Sequence, residues 1–132
     1  MDITWYGHSA FSIQVKGEKI LIDPFLKGSP AFTNQSFENV ISGVTHIALT
    51  HGHSDHLGDT VEIAKELNAM VIANADLCSY LSHLGVKNLN PGNTGGTVQA
   101  DNFSMTFVQA QHSSAILDKN GFSNSLGSSN GL

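Results

Sequence analysis

A chain of 132 residues suits one domain and not two, and 40% apolar with 13% charged residues fits a buried core and excludes a disordered segment. The formal net charge is −5 and all six basic residues are lysine, so neither counterion release nor bidentate arginine contacts favour a nucleic-acid partner. A single cysteine, Cys78, excludes an intrachain disulfide; with no bilayer-length apolar run and no signal-peptide pattern at the start, the expectation is a cytoplasmic protein without membrane attachment.

The chain opens with strand-like segments. Ile3–Gly7 and Ala10–Val15 are rich in β-branched and aromatic residues, and the second partly alternates apolar with polar. A polar turn at Lys16–Lys19 leads into an apolar strand, Ile20–Asp23, stopped by Pro24. Three strands joined by short turns predict an antiparallel start. Residues 25–43 lack periodicity and are punctuated by Gly28, Pro30, Asn34 and Gly43, which predicts a long loop with one short helical turn. His46–Thr50 is another apolar strand.

After it the period changes. Leu57, Val61 and Ala64, flanked by Ile63 and Leu67, lie on one face of a helix, and Asp59 with Glu62 predicts a capping box at its start. Met70–Ala73 is a further strand. Asn74 is placed to cap a second helix carrying Leu77, Tyr80, Leu81 and Leu84 and closed by Gly85. Cys78 falls on that helix as a small apolar residue. Asn88–Gly96 is turn-rich, and Thr97–Ala100 with Phe103–Ala110 predict a hairpin around Asp101–Asn102. The tail, residues 118–132, is dominated by Ser, Asn and Gly and fits either a disordered or loop-like end or a turn followed by a strand that the chain stops too soon to form. Alternating strands and helices in the middle of the chain predict a mixed α/β layer.

The chemistry concentrates in Thr50–His56, "THGHSDH". In extended backbone residues i and i+2 point the same way, so His51 and His53 can grip one metal. A turn at Ser54 would bring Asp55 and His56 toward a neighbouring point. Imidazole with carboxylate suits Zn, Mn, Fe or Ni better than Ca or Mg. With seven His and seven Asp in 132 residues, these four positions fill by chance on the order of once in a thousand such chains, which lifts the cluster above an ordinary short motif. His112, just past a predicted strand, is the candidate third ligand. Three histidines leave a position for water, whose pKa a metal lowers to about 7, and Asp55 is the candidate catalytic residue that orients this water or accepts its proton. A hydrolysable ester, lactone, amide or phosphoester is the substrate class. His8, in a turn between strands, is either structural or substrate-facing. Asp23 either orients a metal-bound histidine, as carboxylates commonly do, or caps the turn before Pro24. His46 and His83 are read as structural or surface residues.

"LTHGHSDHLGD" after an apolar strand resembles the signature of the metallo-β-lactamase superfamily. "ITWYGHSAFSI", "ILIDPFL", "GDTVEIAK", "NPGNTGGTV" and "QHSS" resemble more narrowly its uncharacterised metal-dependent hydrolase branch, related to L-ascorbate 6-phosphate lactonase. The resemblance covers nearly the whole chain. It implies an αββα sandwich, a first metal on His51, His53 and His112, a second on Asp55 and His56, and one or two divalent ions, Zn foremost with Mn or Fe as alternatives. It also implies a bridging aspartate and a last histidine, yet no histidine follows His112 and the only later aspartate, Asp118, stands in a turn-like "LDKNG" that does not match the bridging context. The expectation is therefore a single domain, 1–132, corresponding to the N-terminal half of the sandwich. Half a sandwich exposes apolar surface that soluble monomers rarely show. A complementary chain or a second copy is thus the expected partner, beside a small-molecule substrate, and about one metal is expected per isolated chain.

Overall fold

The apolar alternation of the first 22 residues becomes three antiparallel strands, β1 (Asp2–Gly7), β2 (Ala10–Val15) and β3 (Glu18–Ile22). They are seen in a computed structural model that describes residues 1–117, 120–121 and 123–132. The chain then runs through the predicted loop, which carries one short helix, α1 (Phe37–Ile41), capped by the Ser36 hydroxyl. It continues as β4 (His46–Ala48), α2 (Ser54–Leu57), α3 (Thr60–Leu67), β5 (Met70–Asn74), α4 (Ala75–His83) and β6 (Leu89–Gly92). Strands β3 to β6 pair in parallel, so one six-stranded mixed sheet runs in the order β1-β2-β3-β4-β5-β6.

Side-chain alternation decides what covers each face. Leu21, Ile47, Val71 and Ala73 point to one side and pack with Val40 and Ile41 of α1, Ile63 and Ala64 of α3, and Leu77, Cys78 and Leu81 of α4. Leu21, Ile47 and Val71 are fully buried, and each such side chain stabilises the fold by about 1.5–3 kcal/mol. Ile20, Ala48 and Ile72 point to the other side. There they meet Val98 of β7 (Thr97–Gln99), Met105 of β8 (Ser104–Thr106) and Phe107. That second layer stops short of β1, where Ile3 and Trp5 remain 59% and 60% exposed.

Several expectations need correction. The helix expected from Leu57 onward is two helices, because Gly58 turns the chain between them at φ 44. Asp59 precedes α3 without making a side-chain cap. Its carboxylate instead accepts from the Leu26 and Lys27 N–H groups, while Glu62 pairs with Lys27 Nζ, so no capping box forms. Asn74 does cap α4, accepting from the Leu77 N–H at 2.8 Å. Within the turn-rich Asn88–Gly96, β6 is a sheet-edge strand. The segment after β8 breaks at Phe107, and β9 (Val108–Gln109) pairs with β12 (Asn130–Gly131). β10 (Ala115–Leu117) and β11 (Ser123–Ser125) form a small antiparallel hairpin, so strands do form within the tail, contrary to both a loop-like end and a strand cut short before it forms. Asp118 lies outside the described residues. No helix among the described residues is long and apolar enough to cross a membrane.

Candidate metal centre

Strands β1, β3 and β4 all point their C-terminal ends to one edge of the sheet, the edge where open α/β sheets place their ligands. His8 follows β1, Asp23 follows β3, and His51 and His53 follow β4. His53 is extended (φ −63, ψ 146) and starts α2, its carbonyl accepting from the His56 and Leu57 N–H groups. The switch from extended chain to helix therefore falls at the motif's midpoint. It sends His51 and His53 one way and carries Asp55 and His56 round to the next position.

Three imidazoles converge. His51 Nε2 lies 3.0 Å from His53 Nδ1, and His112 Nε2 lies 3.2 Å from the same atom. One ring nitrogen cannot donate to both neighbours with a single proton. Two nitrogens bound tetrahedrally at about 2.0–2.1 Å from a zinc ion stand about 3.3 Å apart, which is the spacing found. The donor set and its geometry thus fit a divalent ion.

His112 is far away in sequence, and serine hydroxyls bring it in. Buried Ser114 accepts from the Gly52 N–H at 3.1 Å and donates to the Leu126 carbonyl. Ser129 donates to the Ser113 carbonyl at 2.7 Å, and the Asn130 N–H reaches the Thr50 carbonyl at 3.0 Å. The low-complexity tail is thereby stitched to the histidine loop.

Asp23 is 1% exposed and sits at the hub. It accepts from the Thr50 N–H at 2.8 Å, the Thr50 hydroxyl at 2.6 Å and His56 Nδ1 at 2.8 Å. Thr50 Oγ1 in turn lies 2.9 Å from His51 Nδ1. These contacts occupy the Nδ1 atoms of His51 and His56 and leave both Nε2 atoms free to face the cluster, the carboxylate–histidine arrangement typical of metal sites. Of the two roles weighed for Asp23, the carboxylate contacts match the orienting of a histidine; its partners are Thr50 and His56, and it does not cap the turn before Pro24.

The electrostatics follow from the packing. Burial, the largest influence, and the neighbouring His56, His53 and His112 hold the His51 pKa down at about 4 against the pull of Asp23. His51 is therefore neutral, with a lone pair to offer, across the ordinary pH range. For His56 burial also acts downward, but the Asp23 hydrogen bond and the Asp23 and Asp55 charges outweigh it and raise the pKa. Cys78 plays no part; burial pushes its thiol up to about 11.

His8 is closer to the chemistry than a turn residue would suggest, with Nε2 3.4 Å from Asp55 Oδ2 and its ring edge-on to His56. His46 stays in β4, beside Glu18 and Phe103, and His83 in α4 bonds the Ser79 carbonyl; neither joins the cluster. The sequence reading missed Thr50 and Ser114. No motif marks them, because their roles depend on partners 27 and 62 residues away.

Fold and site together define an α/β protein whose strand ends carry a histidine–aspartate cluster fit for metal. Residues 2–125 match the model of the beta-lactamase superfamily domain, and the chain belongs to that family. It is 59% identical over all 132 residues to a UPF0173 metal-dependent hydrolase of Brucella anthropi, and 56% identical over the same length to one of Rhizobium meliloti. In each case it covers 56% of the relative, so the chain spans about half the length of the curated relatives it matches. Igni18, a metallo hydrolase from Ignicoccus hospitalis, has a similar structure, with a TM-score of 0.77 and 26% identity over 97% of this chain and 52% of that one.

Proposed function

We propose that this chain carries the metal-holding part of a metal-dependent hydrolase acting on a small ester, lactone or phosphorylated metabolite. The observation that carries this reading is the convergence of His51, His53 and His112 on one point. These three hold the first ion, and Asp55 and His56 face a second. Zinc fits the imidazole-rich set best, with Mn or Fe as alternatives. A divalent ion at such a site supplies Lewis acidity and activates water. Asp55, about half exposed at the rim, takes the proton of the attacking water. Thr50 and Asp23 keep the histidines oriented while it does so. Beside them a cleft of about 520 Å³ is lined by His53, Ser54, Asp55, Ser113, Ile116 and Leu117, a size that suits a small molecule. Its hydroxyls can take the polar end of a substrate and its aliphatic wall the rest. Elemental analysis after purification without chelators, or after reconstitution with zinc, is expected to find at least one tightly held ion per chain; none under both conditions refutes the reading.

The uncovered face near β1, with Ile3 and Trp5 in the open, favours a second reading. In it the chain binds metal but turns over substrate only when a complementary chain or a second copy lies on that face. Patches of this kind mark interaction surfaces. Light scattering is then expected to show association beyond one chain mass, and a stable monomer would count against it.

A further inference from the structure

We propose that the substrate is an uncharged carboxylic ester lying across two clefts that meet at the metal centre, its apolar part against Ile116 and Leu117 and a hydroxylated part on the far side of Ser113. This deepens the function proposed above, rests on its reading of the histidines as a metal centre, and selects one of the substrate classes named there.

A second cleft, of about 550 Å³, adjoins the one beside His53, and Ser113 and Ala115 line both. His53 faces the first cleft and His112 the second. These two rings converge, 3.2 Å apart at their nearest nitrogens, so the metal centre stands where the clefts join. A substrate whose reacting bond lies there has one arm in each. The arms meet different chemistry. The first cleft has an aliphatic wall of Ile116 and Leu117, with Leu117 68% exposed, and an apolar group laid on it removes that surface from water. The second is lined by Thr94, Gln109, Ser125 and Ser128, exposed hydrogen-bonding residues without charge. Hydroxyls and amides both donate and accept, which matches the hydroxyls of a substrate.

Charge argues against a phosphorylated substrate. A phosphate monoester carries about −1.5 to −2 near neutral pH, and arginine or lysine side chains ordinarily meet it. The chain has no arginine. Five lysines, Lys16, Lys19, Lys27, Lys65 and Lys87, lie among the described residues, and none of them lines either cleft. Asp55 instead places a carboxylate in the first cleft, and with Asp23 it balances the two positive charges of a first divalent ion. An uncharged ester needs no cationic partner. Water adds its oxygen to the acyl carbon while Asp55 takes its proton. The acyl carbon–oxygen bond breaks, and Asp55 passes the proton to the departing alkoxide, so that one acid and one alcohol leave.

The test compares monobutyrin, the butyric ester of glycerol, with glycerol 1-phosphate, which has the same alcohol and a charged acid. Both are given to the zinc-loaded chain after its metal content is measured. Binding is read by saturation-transfer NMR, which needs no turnover, and hydrolysis by product analysis. The wild-type chain is expected to bind monobutyrin and to hydrolyse glycerol 1-phosphate no faster than free zinc ions do. Leu117→Lys, at an exposed position, supplies a cation and is expected to shift the balance of affinities toward glycerol 1-phosphate by about tenfold. Gln109→Leu is expected to lower the preference for monobutyrin over ethyl butyrate, which lacks the hydroxyls, by at least about threefold. A zinc-loaded wild-type chain that engages neither compound, or that hydrolyses glycerol 1-phosphate faster than monobutyrin, overturns the assignment and leaves the metal centre standing. So does either variant with unchanged preference. A chain that takes up no zinc overturns the metal centre and the assignment together.

Discussion

His51→Ala is expected to release the first ion and to reduce any esterase or phosphodiesterase turnover to background. The expectation rests on the position of this ring rather than on its mere presence. His51 is almost fully buried, neutral because of that burial and of the histidines around it, and fixed through Thr50 to Asp23. Removing a group that only orients a ligand typically costs 10–100-fold in metal affinity; removing the ligand itself is expected to cost at least about 100-fold. The effect is readable without knowing the substrate. An ion at 100 times its dissociation constant stabilises the folded chain by about 2.7 kcal/mol, so zinc should raise the melting temperature of the wild-type chain clearly more than that of His51→Ala. An equal zinc response in the variant would place the ion elsewhere, and unchanged turnover would place the chemistry elsewhere too.

What could be seen beforehand follows the range of the interactions involved. The first three strands, α4 with its Asn74 cap, and the His51–His53 pair are local patterns, and all three are present in the structure. The strand β6 was hidden because Asn90, Pro91 and Gly92 have turn composition. It survives as a strand because it lies at the sheet edge and pairs with β5 alone, where a missing N–H is tolerated. The capping box failed for a related reason. Asp59 has the right spacing to Glu62, but its carboxylate finds two N–H donors more than thirty residues upstream, and nothing local announces them. The tail shows the same limit. Its Ser/Asn/Gly composition has no strong propensity, yet Ser114, Ser129 and Asn130 bond across to the segments that position His112.

Gly58→Ala is expected to be the most damaging single-methyl change near the site. Gly58 ends α2 at φ 44 and ψ −124, a combination essentially closed to residues with a Cβ. An added Cβ would also stand 2.3 Å from the Pro24 carbonyl oxygen and 2.6 Å from Phe25 Cα. Both obstacles are backbone, so neither can rotate away. Overpacking typically costs 1–3 kcal/mol and backbone strain of this kind another 1–3, which together predict a loss of about 3 kcal/mol or more. For a chain of this length that is roughly a 10 °C fall in melting temperature. Gly43→Ala supplies the control. It too has positive φ, at 74, but nothing lies within 4 Å of its added Cβ, so strain alone acts and the expected loss is about 1–2 kcal/mol. Chemical denaturation of the two variants separates the contributions, and equal losses would mean that the Pro24–Phe25 backbone gives way. The consequence reaches the metal centre because the displaced backbone follows directly on Asp23. Moving Pro24 away from α2 draws the Asp23 carboxylate from His56 Nδ1, now at 2.8 Å. Gly58→Ala should therefore weaken binding at His56 while His51, His53 and His112, held from β4 and the tail, keep their ion.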